Sequence, residues 1–315
     1  MTQTGILKDR VVTVFGGSGF IGTHVTQALL ACGARLRIAS RRPERALRMK
    51  PLANLGQIQF LRCDIRDEAS VAGALYGADA VVNLVGAFDG DLKALMGDAA
   101  GRIARLAAAG GTRAMVHVSA IGADTGSESG YARAKALGER LVLEAFPAAT
   151  ILRPSVVFGE EDTFINMFAG LIRMSPVLPV FGPQSRLQPL HVDDLAEAVA
   201  AALLDPARHG GKTFELGGPE TLTMLELNQR IAAGQQRSRT FLPVPDSLSG
   251  LFAALPGTPM GRDQWIMLQE GSVPSGALPG FAALGIEPKP LDLFLDRWME
   301  RYRKHGRFTG RAKMT

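Results

Sequence analysis

Cysteine is nearly absent: Cys32 and Cys63 are the two in 315 residues, and they form no Cys-x-x-Cys pair. That excludes a disulfide-stapled scaffold and points to a reduced, cytoplasmic chain. The five histidines show no ligand spacing, so no metal site is expected. No apolar run reaches the roughly 18 residues of a membrane-spanning helix. Lys8 and Arg10 precede an apolar stretch, but glycines interrupt it and no small-residue cleavage site follows. A secretory leader is therefore not expected. The net charge of +5 sits at one end, because residues 292–315 carry seven Lys and Arg against three Asp and Glu. With no basic stripe elsewhere, nucleic acid is not an expected partner. What the chain does have is apolar mass. Hydrophobic residues make up 46%, ample for a core, and the length suits one large domain with a smaller appendage.

Five apolar or β-branched residues, Val11–Phe15, read as a short buried strand that runs into Gly16, Gly19 and Gly22. A helix over Thr23–Ala31 follows. A turn without Cβ atoms lets the backbone approach a pyrophosphate, and the helix start offers free N–H groups and a positive dipole end. Gly16, Ser18, Gly19, Phe20, Ile21 and Gly22 are therefore candidate cofactor residues. A glycine triplet between a strand and a helix is the context that distinguishes a dinucleotide site from a plain turn. The next strand, Arg35–Ala39, ends at Ser40-Arg41-Arg42. An NAD-type site would place an acid there for the ribose 2′-hydroxyl, whereas a guanidinium suits a phosphate dianion. Arg41 and Arg42 thus favour NADP(H), with NAD(H) the less favoured cofactor. The competing reading is a solvated basic helix start, since Arg45 and Arg48 follow.

Strand and helix patterns alternate through the first half: strands over 58–63, 80–85, 114–118 and 149–152, and helices over 68–75, 92–109 and 131–145. This period predicts a doubly wound parallel sheet of the α/β class, with one further strand over 213–216. Prolines at 176, 179, 183 and 189 mark a connector, and His191-Val192-Asp193-Asp194 precedes a helix over 195–204 with an Asp as its natural N-cap. Beyond Pro219 the elements are short and proline-broken, which predicts a small, mostly helical lobe. The expected division is a Rossmann-like domain over 1–155, to which 190–218 return, and a lobe over 156–189 and 219–315. In such folds the cofactor lies across the carboxyl ends of the strands, and the lobe would cap the far end as a substrate pocket.

Tyr131-Ala-Arg-Ala-Lys135 places a phenol and an ammonium on one helix face. A cation one turn away favours the phenolate, so the spacing predicts a Tyr131 pKa below its usual value of about 10. Such a hydroxyl can give or take a proton near neutrality. Lys135 can also reach a nicotinamide ribose.

Taken in order, Gly16–Gly22, Asp64-Ile65, the 83–87 strand end, Ser119, Tyr131 with Lys135, Leu152-Arg153-Pro154 and His191–Asp194 resemble an extended or atypical short-chain dehydrogenase/reductase. The resemblance covers the whole chain. It implies that Asp64 and Ile65 border the adenine, that Val85 and Gly86 flank the cofactor, and that Pro154 sits near the nicotinamide. It also implies that Tyr131, Lys135 and Ser119 form the catalytic set. His191 is more simply a core residue, and Asp193 and Asp194 helix caps. Residues 263–268, 284–288 and the basic end are similar to bacterial relatives of the NADPH-binding accessory subunit of respiratory complex I, a group in which the resemblance implies a structural NADPH. One departure bears on activity. Reductases of this type usually carry a serine or threonine on the substrate carbonyl, often the second of a Ser-Ser pair ending the fifth strand, and here the pair reads Ser119-Ala120. Losing such a donor costs about 2.7–4 kcal/mol of transition-state stabilisation, unless Ser119 serves after a one-residue shift. Three readings follow: an NADP(H)-dependent oxidoreductase on a small carbonyl or alcohol, a non-catalytic NADPH-holding structural or assembly factor, and a nucleotide-sugar epimerase or dehydratase. The tail over 301–315 is expected to extend free of the protein and to meet an anionic membrane surface or a respiratory-chain protein, peripherally at the inner face of the membrane.

Overall fold

The computed structural model describes residues 7–254 and 261–304. Seven strands form a parallel sheet: Val11–Phe15 (β1), Arg35–Ser40 (β2), Ile58–Arg62 (β3), Ala80–Asn83 (β4), Ala114–Val118 (β5), Thr150–Pro154 (β6) and Thr213–Leu216. Their order is Thr213–Leu216, β6, β5, β4, β1, β2, β3, with every neighbour parallel. The central strands are apolar runs rather than alternating ones because helices cover both faces. β5 is buried at every residue, and β4 likewise. The chain order reverses between β1 and β4, which opens a crevice at their carboxyl ends, and in this architecture that is where a ligand binds.

The crossover helices are Phe20–Ala31 (α1), Glu68–Leu75 (α2), Ala99–Ala109 (α3) and Gly130–Ala145 (α4). Asp67 caps α2 by accepting the Ala69 N–H, and Ser129 caps α4 by accepting that of Ala132. The helix expected over 92–109 is instead a wide π turn, Lys93–Asp98, followed by α3. Such turns add a residue to a helix without breaking it and concentrate at functional sites. The Sδ of Met96, on that turn, accepts the N–H of Ala87 in the loop after β4. The helix Val192–Leu204 begins three residues earlier than expected, so Asp193 and Asp194 lie in its first turn rather than before it.

The chain divides into two compact units. The first comprises residues 1–154, 192–216 and 274–287, and the second 155–191, 217–273 and 288–315. The return of 274–287 to the first unit has no counterpart in the sequence reading. Glu215, on the last sheet strand, holds it by accepting the backbone N–H and the hydroxyl of Ser275, at 2.6 and 2.7 Å.

The second unit packs helices Phe164–Met174, Met224–Gly234 and Asp292–Met299 around a core that includes Phe158, Ile165, Leu227, Leu295 and Trp298. His191 is buried there, as expected, stacked on Phe294 at 3.8 Å and edge-on to Phe158. Asn166 fastens the C-terminal segment: its side-chain oxygen accepts from Trp298 Nε1, Tyr302 Oη and Arg301 Nη2. Here the expectation of a free tail from residue 301 is corrected. Arg301 also donates to the Glu160 carbonyl, and Arg303 to those of Gly234 and Asp296, so residues 301–303 are fastened to the unit by backbone acceptors. The rest of the expected tail, 305–315, lies outside the described residues.

Candidate active site

The candidate residues of the first unit gather at the carboxyl ends of β1 to β6. The turn after β1 is built for close approach. Gly16 has a φ of +76°, and a Cβ there would stand 3.1 Å from the Leu84 carbonyl carbon. A Cβ on Gly22 would stand 2.4 Å from the Gly17 carbonyl oxygen, so only glycine lets the first turn of α1 pack against the loop. The helix starts at Phe20 with Gly19 as its N-cap and no side-chain cap, and no acid lies in its first turn. The opening amides of α1 therefore lack intrahelical acceptors and point at the turn. This is a cradle that fits a dinucleotide pyrophosphate.

Arg41 and Arg42 follow β2 directly and are exposed, and Arg42 precedes the 3-10 segment Pro43–Leu52. In the sequence Arg48 figures only in the competing reading of a solvated helix start. Its Nη2 in fact donates to Thr23 Oγ1 at 3.0 Å, which brings this guanidinium to the first turn of α1. Nothing in its spacing signals this, because the bend of the 3-10 segment sets the direction. At the end of β2, the Oγ of Ser40 is buried and has no hydrogen-bond partner among the described residues.

At the end of β3 the residues expected around the adenine are already engaged. Both carboxylate oxygens of Asp64 accept from Arg66, at 2.7 and 3.0 Å, and that hydrogen-bonded guanidinium holds its pKa down to about 2. Ile65 packs its side chain into the core, and its carbonyl accepts from Arg102.

The ends of β4 and β5 are tied together by side chains. Asn83 and His117 face each other across the two strands, with Nδ2 and Nδ1 3.0 Å apart. Asn83 Oδ1 accepts the Val85 N–H, so its Nδ2 donates to His117 and leaves that ring's proton on Nε2. Burial, with Lys135 nearby, pushes the imidazole pKa down to about 3 and keeps it neutral. Lys135 Nζ donates to the carbonyls of Val85 and Val118 at 3.3 and 3.1 Å. Val85 is thus held on both sides, its N–H by Asn83 and its carbonyl by Lys135. Gly86 beside it is exposed.

Tyr131 opens α4 with its ring stacked on Phe88, centroids 5.0 Å apart, and with Lys135 Nζ 5.8 Å from its centroid. The expectation of a lowered phenol pKa is corrected. Burial pushes it up to about 12, and the ammonium that was to oppose this is turned to two carbonyls. Ser119 follows β5 directly and is buried, and its hydroxyl has no hydrogen-bond partner among the described residues. Pro154 ends β6, where its carbonyl accepts the Ile121 N–H. Phe88, His117 and Arg48 are the site-side residues that sequence reasoning missed.

Beneath this layer, Arg153 of β6 grips Glu139 of α4 in a bidentate pair, at 2.9 and 2.6 Å, and stands 3.9 Å from Glu215. Both acids are 8% exposed. Glu139 is one turn beyond Lys135, so this pair fixes the helix that carries the tyrosine and the lysine.

Burial holds the Lys135 pKa at about 8, below its ordinary 10.5. Between those values the unfolded chain carries a proton that the folded one has released, so stability should rise with pH, by up to about 1.4 kcal/mol per unit. Urea midpoints of the wild type and Lys135→Met, compared from about pH 8 to about pH 10, measure this. The wild type should gain on the variant across the window, and a constant difference would contradict it.

Residues 12–217 match a family model described as the NAD dependent epimerase/dehydratase family. Subunit 9 of the NADH dehydrogenase (ubiquinone) 1 alpha subcomplex, mitochondrial, from Dictyostelium discoideum, is 36% identical over 249 residues, 77% of this chain and 68% of the relative. A ceramide reductase from Caulobacter vibrioides is 31% identical over 202 residues, 62% of each chain. Among solved structures, an NADPH-dependent quinone oxidoreductase from Escherichia coli, complexed with NADPH, superposes with a TM-score of 0.73 at 19% identity, covering 91% of this chain and 99% of that one. At that identity the superposition speaks for the fold.

Proposed function

The chain belongs to the NAD dependent epimerase/dehydratase family, and from that membership we propose that it is an NADP(H)-binding short-chain dehydrogenase/reductase that reduces a small carbonyl or oxidises the matching alcohol. The observation that carries this reading is the Ser119 hydroxyl, buried without a partner among the described residues, beside the carbonyl that holds Lys135. A buried hydroxyl left unpaired costs about 1–3 kcal/mol, a cost removed when a substrate oxygen accepts from it. NADP(H) fits the residues present: the Gly16–Gly22 cradle for the pyrophosphate, and Arg41, Arg42 and Arg48 for a further phosphate. When bound, the cofactor supplies or accepts the hydride. The chain's own part is local. Ser119 orients the substrate oxygen, and Tyr131, protonated at neutral pH, is the group that gives that oxygen a proton. Lys135 keeps the β4 and β5 loops in register, with its third N–H left for a ribose hydroxyl. Ala120 places no second donor, so the proton-delivering pair is Ser119 and Tyr131.

A second reading is favoured by a specific pair of observations: Lys135 is committed to two backbone carbonyls, and burial holds the Tyr131 proton tightly. In that reading NADPH stabilises the fold and does not react, and the relatives named as NADH dehydrogenase subunits are in keeping with it. A respiratory-chain protein is then the proposed partner, with the chain peripheral at the inner face of the membrane. Following the absorbance of the nucleotide that co-purifies with the protein separates the two. Oxidation at catalytic rates on adding aldehydes or ketones supports the reductase. NADPH that stays reduced across the panel supports the holding role.

A further inference from the structure

Two consecutive elements of the second unit are apolar on both faces. The helix Phe164–Met174 buries Ile165, Ala169 and Ile172 in the core, yet Met167, Leu171 and Met174, at i, i+4 and i+7, stand 42%, 47% and 79% exposed. The strand Val177–Val180 buries Leu178 and Val180 and turns Val177 and Pro179 outward. It pairs with Thr240–Pro243, in which the exposed Leu242 lies opposite Pro179. A helix solvated on its outer face needs no apolar residue at three successive turns there, and a patch of this kind marks an interaction surface.

Four arginines border this ridge. The Arg173 guanidinium lies 5.9 Å from the Tyr302 ring and that of Arg301 5.2 Å. Arg237 donates to the Tyr302 carbonyl and Arg239 to that of Ile172. These partners are carbonyls and a ring, so among the described residues the contacts fix the guanidinium groups without pairing them to an acid. A second copy of the chain would bring the same charges against them, which disfavours self-association. Long, flexible apolar side chains beside fixed arginines suit a surface with hydrocarbon beneath anionic headgroups.

We propose that this face of the second unit docks peripherally on an anionic lipid bilayer, with Leu171, Met174, Val177 and Leu242 entering the headgroup boundary and Arg173, Arg237, Arg239 and Arg301 meeting lipid phosphates. No helix among the described residues is long and apolar enough to cross a membrane, so the attachment is to one leaflet. Each arginine near such a surface contributes about 1 kcal/mol, so removing two should weaken binding by about tenfold or more.

Sedimentation of the full chain with phosphatidylcholine vesicles, with and without phosphatidylglycerol, tests this at low ionic strength. The wild type should bind the anionic vesicles and not the neutral ones. Leu171→Gln/Met174→Gln should lose binding. Arg173→Gln/Arg239→Gln should weaken it about tenfold or more. Leu171 and Met174 lie on the exposed side, so thermal melts and NADPH affinity of that variant should match the wild type, whereas the arginine variant gives up the Tyr302 ring contact and the Ile172 carbonyl contact and is compared at a temperature where its melt shows it folded. A Leu55→Gln variant, altered at an exposed site of the first unit, should bind as the wild type does. The proposal is overturned if the full chain ignores anionic vesicles, if the Leu171/Met174 variant binds undiminished, or if deleting 305–315 alone abolishes binding. A protein partner, in place of lipid, would give the first of these results. None of these outcomes depends on whether the cofactor turns over.

Discussion

Replacing Arg153 by Met is expected to destabilise the protein by about 3–5 kcal/mol, the largest effect of any single substitution at the site. Arg153 stands between two nearly buried acids, paired at both oxygens with Glu139 and 3.9 Å from Glu215. Removing the cation leaves two carboxylates facing each other's field with little water to screen them. It also frees the strand Thr213–Leu216 and α4, which the guanidinium clamps to β6. Arg153→Lys should recover part of the loss, because an ammonium restores the charge but not the bidentate fork. The comparison is Arg140→Ala, whose pair with Glu144 is 55% exposed on both sides and should be worth less than about 1 kcal/mol. Urea unfolding of the three variants reads this ordering. An Arg153→Met loss no larger than that of Arg140→Ala would show that the pair is screened and does not hold the helix.

Tyr131→Phe is expected to lower turnover of a carbonyl substrate by about 10²–10⁴ while leaving NADPH affinity within about twofold. The ring survives in the variant, and with it the stack on Phe88, so the local packing persists. The one atom removed is the hydroxyl that burial keeps protonated, and a proton donor is what a carbonyl reduction requires. With the phenol pKa near 12, activity should also hold level through the neutral range rather than fall as a phenolate forms. Lys135→Met should weaken both turnover and cofactor affinity, because it releases the carbonyls of Val85 and Val118 as well. Turnover that survives in Tyr131→Phe would remove the hydroxyl from the mechanism and leave the NADPH-holding reading in its place.

The parallel sheet was legible because its evidence is local. Apolar runs at Val11–Phe15 and Ala114–Val118 can be buried on both faces only in a covered sheet, and Gly16 and Gly22 mark a turn that other residues cannot adopt. The family resemblance read from those motifs is matched by the family model and by the relatives named as NADH dehydrogenase subunits. What escaped the sequence depends on contacts between distant segments. The direction of the Tyr131 pKa is set by burial and by where Lys135 points, and that lysine finds its acceptors 50 and 17 residues away. The four-residue spacing of the pair shows neither. Residues 274–287 form no long apolar run, and they return to the first unit through the Glu215 carboxylate, the Glu215 N–H donated to the Pro279 carbonyl, and the buried Phe281 and Leu284. Arg301 and Arg303 read as part of a charged tail because their acceptors, Asn166 and the Gly234 carbonyl, lie far off in the chain. A run of charges reports its partners only after folding.

The central proposal is that the arginines after β2 and the turn after β1 together hold NADP(H) in preference to NAD(H). Titration calorimetry of the purified, nucleotide-free protein with NADPH and with NADH tests it directly. Charge-assisted hydrogen bonds to the extra phosphate are worth about 1.5–3 kcal/mol each, so NADPH should bind at least about tenfold more tightly. Arg41→Ala should erase most of that margin and leave NADH affinity unchanged. Equal affinities in the wild type, or an Arg41→Ala variant that still prefers NADPH as strongly, would contradict the account.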